Sequence, residues 1–86
     1  MGGSVYSDRY KAFLQRLRSA RLDAGLTQAE VAQQLHQPQS YVSKCESGER
    51  RVDLVELIDF AVIYNKSLLY FVSDFYEASP ASVELE

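Results

Sequence analysis

The sequence holds one cysteine, one histidine, no long apolar run and no excess of basic charge. Each shortage removes a class of answer. A lone Cys45 closes no internal disulfide, so the chain does not read as a small disulfide-stapled domain, and its thiol fits a reducing cytoplasm. With one histidine, His36, beside that one cysteine, there is no zinc ligand set, and no metal or cofactor is expected. No segment approaches the roughly 20 apolar residues of a membrane span. Nor do the first twenty residues read as a secretory signal, since Arg9, Lys11, Arg16 and Arg18 interrupt their apolar positions. There is no Gly-rich phosphate loop and no nucleophile–base pair, so no catalytic residue is assigned. The expectation is not an enzyme, with no membrane partner and no small-molecule ligand evident.

What is present is the composition of one globular domain. The chain has 86 residues, of which 47% are hydrophobic and 24% charged. A core this small is marginal, and helices or a dimer partner would support it. The net charge of −3 argues against a wholly basic, sequence-blind coat for nucleic acid. That total hides a split. Residues 1–51 hold eight Lys or Arg against five Asp or Glu, and residues 52–86 hold one against seven. A basic first part suggests a side facing a polyanion, although a solvated surface gives the same counts.

Helical spacing recurs along the chain, and polar–apolar alternation is absent. A first helix is expected from Asp8 to about Ala24, with Tyr10, Phe13, Leu14 and Leu17 on one face and Gly25 past its end. Thr27-Gln28-Ala29-Glu30 is a capping box that opens a short second helix, with Val31, Ala32 and Leu35 inside. Pro38 breaks it. A third helix follows from about Gln39 to Ser47, with Val42 and Cys45 inside and Gly48 at its end. Asp53 caps a fourth helix, running to about Tyr64 with Leu54, Leu57, Ile58 and Ala61 on one face, and Asn65 stops it in the left-handed region. Ser67 can cap a fifth, from Leu68 to about Tyr76. Five helices with short connections make an all-α, compact five-helix domain over residues 8–76, between tails at 1–7 and 77–86.

Two short helices joined by a tight turn at His36-Gln37-Pro38 match helix-turn-helix geometry, and Ala32 is small enough to let them cross closely. An ordinary helical hairpin has the same spacing. The residues themselves say more. "GLTQAEVA" at 25–32 and "QSYVSKCESGERR" at 39–51 resemble the helix-turn-helix domains of the phage repressor and Cro type, the XRE-like transcriptional regulators, over about residues 12–72. That resemblance implies the lambda-repressor-like fold and a transcriptional regulator, such as a repressor, with double-stranded DNA as its partner.

It also implies roles. The second helix of such a motif lies in the major groove, which carried over makes Gln39, Ser40, Ser43 and Lys44 the base readers. Gln39 suits adenine N6 and N7, and Lys44 suits guanine O6 and N7. Gln28, Tyr41, Ser47, Arg50 and Arg51 match phosphate-contacting positions, which orient the domain without reading sequence. Arg21 and Glu46 resemble a family pair that fixes the angle of the recognition helix. The chain departs from the pattern at three positions. His36 stands where Gly is usual, Gln37 where an apolar residue is common, and Cys45 where a larger apolar residue is usual. Cys45 reads as a small buried hydrophobe rather than a redox sensor.

Aromatic and aliphatic residues crowd positions 64–76. A helix apolar nearly all round needs cover on more than one side. Leu69, Tyr70, Val72, Phe75 and Tyr76 are therefore the expected homodimer interface, in keeping with the family's use of this end. The alternative is that these aromatics cover Tyr6, Tyr10 and Phe13 of the same chain. The expected function is a sequence-specific DNA-binding regulator, cytoplasmic, reading a pseudo-palindromic operator as a homodimer. The competing reading is a protein-interaction module on the same fold, an adaptor or an antitoxin-type partner.

Overall fold

The computed structural model describes residues 7–75, which form five helices and, among those residues, no strand. They are α1 (Asp8–Asp23), α2 (Gln28–Leu35), α3 (Gln39–Ser47), α4 (Leu54–Tyr64) and α5 (Leu68–Val72). The expected all-α, five-helix plan is present. The termini, with Tyr6 and Tyr76, lie outside the described residues.

Local chemistry places the boundaries. Two capping boxes open helices: Thr27 with Glu30 on α2, and Asp53 with Glu56 on α4. In each, the cap side chain accepts from the backbone N–H three residues on, and the glutamate accepts from the cap's own N–H, so two orphan donors are satisfied together. Ser7 caps α1, its hydroxyl accepting from Tyr10 N–H at 3.1 Å. Pro38 occupies the N-cap of α3 with no side-chain bond, and Ser67 the N-cap of α5, its hydroxyl making no cap bond.

The helix ends share one device. After α1, α2 and α4 the chain enters the left-handed region at Gly25, His36 and Asn65. The next N–H then reaches back five residues: Leu26 to the Arg21 carbonyl, Gln37 to Ala32, and Lys66 to Ala61. This closes carbonyls that the helix leaves open. His36, at φ 57°, takes the position that glycine would fill without strain, and Asn65 does the same.

The core is built from Phe13, Leu17 and Ala20 of α1, Val31 and Ala32 of α2, Val42 and Cys45 of α3, Phe60, Ala61 and Tyr64 of α4, and Phe71 of α5. α1 runs through the middle and packs on α3, α4 and α5, while α2 lies chiefly on α3. Two expectations change. Leu54 and Ile58 do not face inward: they are exposed, and α4 instead buries Phe60, Ala61 and Tyr64. Glu56 and Asp59 are the only polar residues of α4, so more than one apolar face has helical spacing. The face that wins carries the large rings, and Phe60 stacks on both Tyr41 and Tyr64. α5 also ends earlier than expected, at Val72, and residues 73–75 turn.

Candidate nucleic-acid interface

α3 has two unlike sides. Val42 and Cys45 are fully buried, and Tyr41 and Glu46 are partly so. Gln39, Ser40, Ser43 and Lys44 are all exposed. Positions i, i+1, i+4 and i+5 lie on adjacent turns of one helix face, so the structure brings the four expected base readers together. A helix with its side chains is about 10–12 Å across, a width the roughly 12 Å wide major groove accepts. That face carries amide, hydroxyl and ammonium groups and no carboxylate, because the only acid of α3 is turned inward.

That acid is Glu46. Arg21 donates to it twice, Nε to Oε2 at 2.6 Å and Nη2 to Oε1 at 3.1 Å. Both side chains are less than a tenth exposed. The remaining guanidinium nitrogen, Nη1, donates to the Leu26 carbonyl at 3.0 Å, so it is spent inside the fold rather than turned outward. Gln28 completes the cluster, its Nε2 donating to Glu46 Oε1 at 3.1 Å. One carboxylate thus binds the end of α1, the start of α2 and the last turn of α3. The carboxylate raises the Arg21 pKa above its ordinary value, chiefly through the hydrogen bond. Tyr64 lies close by, and its buried hydroxyl has no hydrogen-bond partner among the described residues. Burial pushes its pKa upward.

A second fork stands just past the C-terminal end of α3, beyond the last turn that carries Glu46. Arg50 donates to Glu56 through Nη1 at 2.9 Å and Nη2 at 2.6 Å, and Nη1 also reaches the Arg51 carbonyl at 3.2 Å. Its guanidinium lies 4.7 Å over the Tyr41 ring, which stacks in turn on Phe60. Arg50 and Tyr41, both expected at phosphates, are therefore engaged within the fold, where they join α3 to the cap of α4. The Arg50 guanidinium and the Asp53 N–H hold the Glu56 carboxyl down at about 2. Sequence reasoning missed Glu56 as a partner, because its role in the capping box already accounted for it.

The other expected phosphate contacts are placed as follows. Ser47 is exposed, its hydroxyl donating to the Lys44 carbonyl and accepting from Glu49 N–H at 3.2 Å each. Arg51 is exposed, its guanidinium 4.2 Å over the Tyr10 ring. The Tyr10 hydroxyl accepts from Val52 N–H at 3.1 Å, which ties the connection after α3 to α1. Cys45 is fully buried and its thiol pKa is pushed up by burial, the setting of a packing residue rather than of a reactive thiolate.

The expected dimer residues of α5 are distributed. Phe71, not among them, is the one that enters the core, against Phe13. Tyr70 is half-buried beneath two cations, Lys66 at 4.5 Å and Arg16 at 5.0 Å. Arg16 also holds Asp74 in a fork at 2.7 and 3.0 Å. Val72 and Phe75 line a groove of about 370 Å³ with Tyr10, Phe13 and Leu57. Leu69 is exposed, and Tyr76 lies outside the described residues.

Among the described residues no acid, histidine or cysteine cluster could hold a metal, and no helix is long and apolar enough to cross a membrane. Residues 12–67 match the family of the helix-turn-helix domain. A solved structure, an XRE-family like protein from Pseudomonas syringae pv. tomato str. DC3000, is similar at TM-score 0.70 and 44% identity, covering 77% of this chain and 80% of that one. No curated protein matches.

Proposed function

This chain belongs to the XRE-like helix-turn-helix family of DNA-binding regulators, and we propose that it reads a pseudo-palindromic operator as a homodimer with α3 in the major groove. The observation that carries the proposal is the exposed α3 face of Gln39, Ser40, Ser43 and Lys44, free of carboxylates and set at a fixed angle by the buried Arg21–Glu46 fork. Gln39 and Lys44 read base edges, and the two serines serve either base type. Gln28, Ser47 and Arg51 contact phosphates around them. Gln28 has a second amide N–H beyond the one given to Glu46, and the first-turn N–H groups of α2 favour an anion. Arg50 and Tyr41 support the phosphate side chiefly by holding the recognition helix in place. The activity is binding without catalysis, in the cytoplasm with the DNA.

Selection of bound sites from random duplex DNA tests this reading. The expected result is an enriched site with two related half-sites about one helical turn, ~34 Å, apart. Lys44→Ala then lowers affinity by about 1–3 kcal/mol at one base position and relaxes the preference there. Arg51→Ala weakens all sequences alike and reduces the salt slope by about one. Uniform losses from both variants would remove the base-reading role of Lys44. No salt-dependent binding below about 100 mM salt would favour the adaptor reading.

A further inference from the structure

We propose that two copies of this chain associate through the exposed face of α4. The helix is apolar on nearly every side, and the monomer covers the side of Phe60, Ala61 and Tyr64, with Leu57 and Ile63 partly buried beside it. Opposite them Val55 is 68% exposed, Ile58 41% and Val62 75%. The spacing i, i+3, i+7 makes these three one stripe. Leu68, 41% exposed, extends the stripe across a shallow groove that it lines with Ile58, Ala61 and Val62.

The occupant is a second copy, for two reasons. First, the stripe is self-complementary. Val55 and Val62 flank Ile58 by about one turn on each side. A twofold axis beside Ile58, midway between positions 58 and 59, with the two helices antiparallel sets Val55 of one copy on Val62 of the other, the isologous contact that a C2 dimer requires. Of the two acids of α4, Glu56 is turned to Arg50, and Asp59 stands at the edge of the stripe, bordering a groove with Val62, Gln34, Leu35 and Ile63. Lys66 borders the opposite groove, so a polar rim surrounds an apolar centre. Second, the area fits. Side chains this exposed make an apolar patch on the order of 300 Å², the size at which a monomer's largest patch is often functional. That is the centre of an interface burying roughly 800 Å² per partner. The α5 residues offer less, since Tyr70, Val72 and Phe75 are already partly covered by their own chain.

The proposal deepens the homodimer part of the function above, and its test uses no DNA, so either can fail alone. Sedimentation equilibrium of the full chain is expected to show a concentration-dependent dimer that persists at high salt. Val62→Glu is expected to weaken it at least about 100-fold, because the charge enters the interface twice, with unchanged helical circular dichroism. Leu69→Glu is expected to leave the dimer intact. Should Val62→Glu lose helix, Val55→Lys carries the same expectation on a second exposed site. Ile58→Cys is expected to give a disulfide-linked dimer on oxidation, which the buried Cys45 of the unaltered chain does not. A monomer at every concentration overturns the proposal. So does a dimer that Leu69→Glu breaks and both α4 variants spare, which would return the interface to α5.

Discussion

Two arginine–glutamate forks hold the C-terminal end of α3, one within its last turn and one just beyond it, and they differ in almost everything but chemistry. Arg21–Glu46 is buried, joins three helices, and leaves each partner without water as a substitute. Arg50–Glu56 is partly exposed, its side chains 40% and 22% accessible, and joins α3 only to the cap of α4. The same pair of groups is therefore a structural necessity in one fork and an adjustable brace in the other. Burial sets the difference, because a buried ion deprived of its partner has no solvent to turn to.

The sharpest way to break the comparison is Glu46→Ala. It strips Arg21 and Gln28 of their common acceptor, and urea denaturation is expected to show a loss of about 3–5 kcal/mol, a large part of what a small domain has. The double change Arg21→Met with Glu46→Leu should recover most of it, since an apolar pair of similar size needs no desolvation of ions. If the double variant is as unstable as the single one, the loss belongs to the helix junction and not to the stranded charge.

Arg50→Ala comes second. Its cost in the same measurement is expected to be roughly a third or less of the Glu46→Ala loss, falling further as salt screens the exposed fork. An equal cost for the two variants would erase the distinction between them. The third effect is one of pH. Glu56 is held at about 2 against its ordinary 4.5. A depressed carboxylate stabilises the fold fully above the ordinary value and loses that stabilisation as pH falls toward 2. Thermal unfolding followed from pH 5 to pH 2 should therefore show a loss that Glu56→Gln reduces, the remainder including Asp74, which Arg16 also holds down. The smallest effect is expected from Arg16→Ala, which opens the exposed Arg16–Asp74 fork, leaves the melting curve close to that of the unaltered chain, and sets the floor of the series.

Much of this fold can be read from residue order. Thr27 with Glu30, Asp53 with Glu56, Gly25, Gly48 and Asn65 mark helix starts and stops because capping is settled within four residues of chain. His36 in the left-handed region and Cys45 in the core also follow from their positions in the motif. The buried face of α4 does not follow, since almost every side of that helix is apolar. Nor does the engagement of Arg50, six residues from a carboxylate across an irregular connection to which no periodicity applies. The exposed α3 face was legible because one side of that helix is apolar and the other polar.

By itself, then, the sequence determined the number of helices, most of their ends, the motif, and the polar face of Gln39, Ser40, Ser43 and Lys44 that α3 turns outward. All of these depend on interactions over a few residues or on the contrast between two faces of one helix. Only the tertiary structure decided which side of α4 is covered, that Arg50 and Tyr41 brace α3, and that Glu46 binds Arg21 and Gln28 at once. Those outcomes depend on distances between groups far apart in the chain, and on burial, which turns a modest ion pair into one the fold cannot lose.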